Sequence, residues 1–173
     1  PLEESLKDRY EAVMHRVAAA AEASGRRAED IIVVAVTKYA AIDQIRELIG
    51  LGHADLGESR VQVLSQHAAQ VEEYLARRRA LPSAGGGALP AVRWHMIGHL
   101  QRNKVRKVVP IVRLIHSVDS LRLAEEIHAA AAKLSEPVEV LVQVNVADER
   151  QKHGIAPAAV RHLIDQMDTM FNI

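Results

Sequence analysis

The sequence predicts an α/β protein in which parallel strands and helices alternate, and three observations support this. Five short apolar or alternating stretches are each followed by a segment with apolar residues at helical spacing. One stretch, residues 31–36, is apolar throughout, which is typical of a strand in a parallel sheet. The connections are long enough for helical crossovers, which join parallel strands. The pattern fits an open doubly wound sheet or part of a (β/α)8 barrel. The length of 173 residues alone favours the open sheet, because a barrel typically takes about 250.

The first elements are an amphipathic helix and a buried strand. Residues 6–24 carry apolar side chains at helical spacing, and Gly25 stands where a left-handed residue would end the helix. Residues 31–36 form a strand that we expect to be buried on both faces. A short helix over residues 42–49 comes next and ends near Gly50 and Gly52.

The remaining elements continue the same alternation. The predicted elements are a strand at 54–57, a helix from Glu58 to Arg79, a surface loop at 81–91, a strand at 93–98, a basic helix at 102–109, a strand at 111–115, a helix at 120–134 and a strand at 138–146. Pro157 begins the last helix at its first turn, where proline is well tolerated. The sequence therefore predicts five βα units behind an N-terminal helix.

The composition indicates one compact domain over residues 1–173, with 49% hydrophobic and 25% charged residues. There is no cysteine, which excludes disulfides and thiolate metal sites. The 22 basic and 22 acidic residues balance, so we expect no general attraction to nucleic acid or to an anionic membrane. The longest apolar run is far shorter than the roughly 20 residues that span a bilayer. We therefore expect a soluble cytoplasmic protein.

Polar residues follow each predicted strand, at the end where α/β proteins place their sites. They are Thr37 and Lys38; Gly57, Glu58 and Ser59; Gly98, His99 and Gln101; His116, Ser117 and Asp119; and Asn145. Lys38 carries its amine just past the most apolar strand, where we expect poor solvation to disfavour the ammonium form. Such an amine can form a Schiff base with an aldehyde or ketone. In the alternative interpretation, which spacing alone favours, Lys38 extends into solvent or pairs with Glu58.

Three other features have simpler interpretations. His95 and His99 are spaced like zinc ligands on a helix, but they fall at a predicted strand and no third ligand is evident, so we predict no metal site. We expect His99 to order the loop after the third strand instead. The basic residues within 102–107 have no interleaved aromatics and are predicted to form a solvated helix face rather than a nucleic-acid site. Asp119 and Ser120 are expected to cap the following helix.

Five motifs occur in an order that resembles one known family. They are VAVTKY at 34–39, GESRVQ at 57–62, WHMIGHLQRNK at 94–104, HSVDSL at 116–121, and VNV at 144–146 with KHGI at 152–155. Together they resemble the pyridoxal phosphate homeostasis protein family, whose fold is like the barrel domain of alanine racemase. The resemblance implies a parallel (β/α)8 TIM-type barrel. This chain would carry about five of its βα units and the N-terminal helix, as a single partial cofactor-binding domain over residues 1–173.

The resemblance also implies a cofactor and a site. Lys38 matches the lysine that holds pyridoxal 5'-phosphate as an internal aldimine in the family, and Ser59, Ile97 and Asn145 are implied as further cofactor-binding residues. Family members are thought to buffer the cofactor or deliver it to pyridoxal phosphate-dependent enzymes, without an established turnover reaction. The implied role is therefore vitamin B6 homeostasis, with no catalytic residue. Two positions depart from the family pattern, since Ser59 stands for an asparagine and Val63 for a glutamate.

Other functions stay open at this point. An amino-acid racemase-like enzyme would share the barrel and the lysine, an aldolase would use Lys38 on a sugar phosphate, and a structural role would need neither. Members of the resembling family continue with three further βα units that supply a phosphate cup. We therefore expect the 173 residues to be a fragment of a longer barrel, or to close by association with a second copy through the open sheet edge.

Overall fold

A computed structural model of the chain describes residues 4–80, 89–147, 149 and 151–173. Its centre is a sheet of five parallel strands. The strands are β1 (Ala35–Val36), β2 (Asp55–Glu58), β3 (Arg93–Met96), β4 (Val112–Val118) and β5 (Glu139–Val142). The helices are α1 (Leu6–Ala23), α2 (Ile42–Gly50), α3 (Val61–Ala80), α4 (Val105–Val108), α5 (Leu121–Ala131) and α6 (Val160–Met167).

The strand order confirms the predicted α/β architecture. The order in the sheet is β1-β2-β3-β4-β5, so each strand pairs with the next strand along the chain, and α2 to α5 lie on the four connections. A doubly wound sheet reverses its order at a switch point, whereas a (β/α)8 barrel does not. The family resemblance therefore predicted the architecture correctly where chain length alone did not.

Local sequence signals set the ends of the first and last helices; Gly25 and Pro157 were predicted, whereas the cap at Ser5 is a finding of the structure. The Ser5 hydroxyl accepts a hydrogen bond from the Asp8 N–H at 3.1 Å, and the Asp8 carboxylate accepts one from the Ser5 N–H at 3.2 Å, which forms a capping box. Beyond α1, Gly25 has a φ of 71°, in the left-handed region that glycine adopts without steric cost. Pro157 begins the 3-10 turn that leads into α6.

The first strand is shorter and more exposed than predicted. Only Ala35 and Val36 are paired, and the expectation of a strand over 31–36 buried on both faces is wrong. Ile32 is 59% exposed and Val36 is 54% exposed. Val36 pairs in register with Gly57, so its side chain lies on the sheet face opposite the helix-packed Leu56. That face is not covered at Val36.

Two further boundaries differ from the prediction in ways that affect the site. The third helix begins at Val61 rather than at Glu58, which is the last residue of β2. The fourth strand continues to Val118, so His116 and Ser117 lie within it rather than after it. The basic segment at 102–109 is a 3-10 turn followed by the single-turn α4. Most of the predicted surface loop, at 81–88, lies outside the described residues.

The helix-facing side of the sheet forms the hydrophobic core. Its largest fully buried side chains include Leu56 on β2, Met96 on β3 and Ile115 on β4, which pack with Leu64 and Ile127 from the helices. Because side chains alternate along a strand, the residues between these point to the opposite face, which carries the polar groups described below. None of the helices in the described ranges is both long and apolar enough to cross a membrane.

Candidate functional site

Lys38 lies in a turn just beyond the carboxyl end of β1. The Thr37 N–H donates to the Gly57 carbonyl at 2.9 Å, and the Ala40 N–H closes the turn on the Thr37 carbonyl at 2.9 Å. Lys38 itself is exposed, and its Nζ lies 5.1 Å from the centre of the Tyr39 ring. The expectation of a poorly solvated amine is therefore wrong for this structure.

Glu58 does not pair with Lys38, contrary to the alternative interpretation of the sequence. Its side chain is fully buried, and its Oε1 accepts a hydrogen bond from the Thr37 hydroxyl at 2.6 Å and lies 2.9 Å from the His67 Nδ1 on α3. Within the described residues, Oε2 has no hydrogen-bond partner. Thr37 and Glu58 thus face the helices, and this contact anchors the turn that carries Lys38. Since neighbouring residues alternate between faces, Lys38 points away from Glu58.

Two glycines lie in crowded positions near the carboxyl ends of the strands, Gly57 within β2 and Gly98 in the loop after β3. A Cβ on Gly57 would lie 2.9 Å from Val34 Cγ1 and 3.4 Å from the Ile97 side chain, and a Cβ on Gly98 would lie only 2.2 Å from the Ser59 carbonyl oxygen. Gly57 and Gly98 are therefore required where these chains touch. The predicted site residues Lys38, Ser59 and Ile97 follow three adjacent strands. The structure places their loops side by side at the carboxyl end of the sheet.

Asn145 lies beyond β5, at the opposite edge of the sheet from β1. Its amide nitrogen donates to the Glu149 carbonyl at 3.0 Å, and its side-chain oxygen accepts from the Glu149 N–H at 3.4 Å. The Asn145 N–H also donates to the Ile155 carbonyl at 2.9 Å. In the described part of the chain, the Asn145 side chain therefore organises its own loop and is not brought beside Lys38.

The sheet face opposite the helices carries a buried polar network that the sequence analysis did not predict. The carboxylate of Asp55 accepts two hydrogen bonds from the Arg93 guanidinium, one of them at 2.8 Å, and a third from His95 Nε2 at 3.0 Å. His95 Nδ1 then lies 2.9 Å from His116 Nε2. A carboxylate only accepts, so His95 Nε2 carries the hydrogen that Asp55 receives. The period-two spacing of Arg93 and His95 in one strand was the available signal.

The charges of this network follow from its burial and its hydrogen bonds. Burial alone raises the pKa of Asp55, which is only 7% exposed, but the hydrogen bonds from Arg93 and His95 outweigh it and hold the pKa at about 2. The pKa of His116 is lowered, first by burial and then by the neighbouring His95. Asp55 is therefore ionised at neutral pH, while His116 favours its neutral form.

A second cluster brings together residues that are distant in sequence. His99 Nδ1 lies 3.6 Å from an Asp119 carboxylate oxygen, and the His99 ring stacks on the His153 ring with centroids 3.8 Å apart. His95 is four residues from His99 in the sequence but does not join this cluster. It belongs to the buried network with Asp55. Ser120 caps α5 as predicted, accepting from the Leu123 N–H at 3.4 Å, while Asp119 faces His99 instead of the helix.

Comparison with known proteins identifies similar sequences over nearly the whole chain. The chain is 31% identical to the pyridoxal phosphate homeostasis protein of Mycobacterium leprae over 96% of its own length, and it spans 65% of that relative. No protein-family model matches the chain.

Solved structures show the same fold. The crystal structure of an unknown protein from Bifidobacterium adolescentis is 36% identical, with a TM-score of 0.82 over 97% of this chain and 66% of that one. The structure of PipY from Synechococcus elongatus with pyridoxal phosphate bound is 31% identical, with a TM-score of 0.62 over 80% of this chain and 57% of that one. Alanine racemase of Clostridium difficile is only 16% identical, with a TM-score of 0.56 over 82% of this chain and 33% of that one, a likeness of fold alone.

Proposed function

We propose that this chain is a member of the pyridoxal phosphate homeostasis protein family, that it binds pyridoxal 5'-phosphate covalently through Lys38, and that it holds the cofactor without turning it over. The observation that carries this proposal is the position of Lys38, an exposed primary amine at the carboxyl end of the first strand. A relative at 31% identity, PipY, has been solved with pyridoxal phosphate bound. Residues 1–173 would form part of one cofactor-binding barrel domain.

The residues around Lys38 fit such a group. Among the described residues, no carboxylate lies within ion-pair distance of the Lys38 amine, so the nitrogen is available to an external electrophile. Lys38 would supply the nucleophilic nitrogen, and a bound cofactor would supply an aldehyde as the electrophile. Ser59 offers a hydroxyl and Ile97 an apolar surface beside the glycine-lined contact of their loops. Asn145 stays a proposed contact from the far edge of the sheet.

The absence of turnover is proposed because, within the described ranges, no hydrogen bond or ion pair joins the Lys38 amine to a titratable side chain. The buried carboxylate of Glu58 is bound to Thr37 and His67 on the opposite face of the sheet. General acid-base catalysis needs a second titratable group within hydrogen-bond reach of the reacting atom. The chain would therefore store the cofactor or pass it to pyridoxal phosphate-dependent enzymes. Self-association through the open sheet edge stays a prediction.

The test is a titration of the chain with pyridoxal phosphate, followed by the visible absorption of the lysine-bound cofactor. Lys38→Ala should abolish this band, while Lys133→Ala, at another exposed lysine, should leave it unchanged. An undiminished band in Lys38→Ala would overturn the assignment. The enzyme alternative is tested in the same samples, because sustained racemisation of an amino acid that disappears in Lys38→Ala would show an amino-acid racemase-like enzyme instead.

A further inference from the structure

The loops after three adjacent strands bring two imidazoles and a carboxylate together. His99 follows β3, Asp119 follows β4 and His153 lies in the loop after β5. One ligand atom from each residue lies within 4.8 Å of the other two. The cluster is open to solvent, since the side chains of His99 and Asp119 are 39% and 16% exposed. None of these residues has a part in the proposed attachment of pyridoxal phosphate.

The backbone beside each of the three residues is fixed. Gly98 packs against the Ser59 backbone, which sets the path of the chain just before His99. The Ser120 cap holds the start of α5 just after Asp119. Gly154, next to His153, has a φ of 123°, and a Cβ there would lie 2.7 Å from the Asn145 nitrogen. Anchored loops of this kind keep the three Cα positions close together, so that only the side chains need to move on binding.

The donor set selects a particular class of ligand. We propose that His99, Asp119 and His153 form a binding site for a divalent transition-metal ion of the Zn²⁺ class. Two imidazole nitrogens and one carboxylate oxygen, with no thiolate, are donors that Zn²⁺ and its first-row neighbours accept. Calcium and magnesium prefer sites made of oxygen ligands alone. Three protein ligands leave a further coordination position for water or for a substrate atom.

The distances require only a small closure of the site. Metal–ligand bonds of about 2.0 Å in a tetrahedral site place ligand atoms about 3.3 Å apart. The present separations reach 4.8 Å at most, and His99 and Asp119 already approach to 3.6 Å. Because His99 and His153 are exposed, rotation of their side chains can close the remaining distance without repacking the core. Their stacked rings must turn so that both nitrogens point at one centre.

The test uses Zn²⁺ alone and the chain without cofactor and without a polyhistidine tag. Calorimetry or competition with a chromophoric chelator should give one equivalent of bound Zn²⁺. His99→Ala, His153→Ala and Asp119→Asn should each weaken binding by about tenfold or more. The control His162→Ala, at an exposed histidine outside the cluster, should bind like the original chain. Circular dichroism of every variant establishes that the fold is retained.

A second measurement tests the coordination itself. Cobalt substituted for zinc should give the intense visible absorption of a four-coordinate site, and Asp119→Asn should change that spectrum. The proposal is overturned if binding does not saturate near one equivalent, or if the three cluster variants bind Zn²⁺ as tightly as His162→Ala. The result is independent of the proposed function, because Lys38→Ala should bind Zn²⁺ unchanged.

Discussion

Replacing Asp55 by asparagine should destabilise the chain at neutral pH and change how its stability depends on pH. The carboxylate of Asp55 is buried and accepts hydrogen bonds from both Arg93 and His95. These bonds hold its pKa at about 2, against 3.8 for an unperturbed aspartate. Asparagine has nearly the same shape but no charge. Its side-chain NH2 group would face a hydrogen-bond donor of Arg93 or His95 and could not accept from it.

The magnitude follows from the difference between the folded and unfolded pKa. One pKa unit corresponds to about 1.4 kcal/mol, so the ionised Asp55 contributes roughly 2 kcal/mol to the free energy of unfolding at neutral pH. Because the folded pKa is the lower one, this contribution is fully present above the unfolded value of 3.8 and is lost as the pH falls towards 2. Roughly half of it should be gone by about pH 3.

The assay is urea unfolding of the original chain and Asp55→Asn at pH 7, 4 and 3. The two free energies should differ by roughly 2 kcal/mol at pH 7, and the difference should shrink by roughly half at pH 3. Asp43→Asn is the matched control, because Asp43 pairs with Arg46 at the surface and its loss should cost at most about 1 kcal/mol. A difference between the original chain and Asp55→Asn that stays constant from pH 7 to pH 3 would refute the reasoning.

Three further predictions concern the turn and loops of the site. Lys38→Ala should leave the free energy of unfolding within about 0.5 kcal/mol of the original, because the side chain is exposed; chemical denaturation checks this. Gly98→Ala should cost several kcal/mol, since its Cβ would meet backbone at 2.2 Å, whereas Gly50→Ala, with no atom within 4 Å, should not destabilise; thermal unfolding compares the two. Thr37→Val should cost about 1–3 kcal/mol, because it removes the hydroxyl that donates to the buried Glu58, and urea unfolding measures it.

The sequence predicted the elements and their order because both depend on local signals. The left-handed Gly25 and the proline at 157 each act within one turn of the chain. The burial of residues 31–36 was predicted wrongly, because burial depends on what covers a strand and not on its own composition. The exposure of Val36 shows this directly.

The sequence singles out one candidate residue for the site, and its role stays a prediction. Lys38 stood out by its position after an apolar strand, and the motifs around it carried the family resemblance. The partners of His99 could not be predicted, since Asp119 and His153 are 20 and 54 residues away and meet it only through the sheet order. The hydrogen bond between Asp55 and His95 is likewise a product of strand register, which the sequence does not display.

The most direct test of the central claim is to locate the covalent attachment of pyridoxal phosphate. The chain is incubated with the cofactor, reduced with borohydride, digested and analysed by peptide mass mapping. The account predicts a single major pyridoxyl adduct, on the peptide that contains Lys38. An adduct found mainly on Lys104 or Lys152, or spread evenly over the exposed lysines, would contradict it.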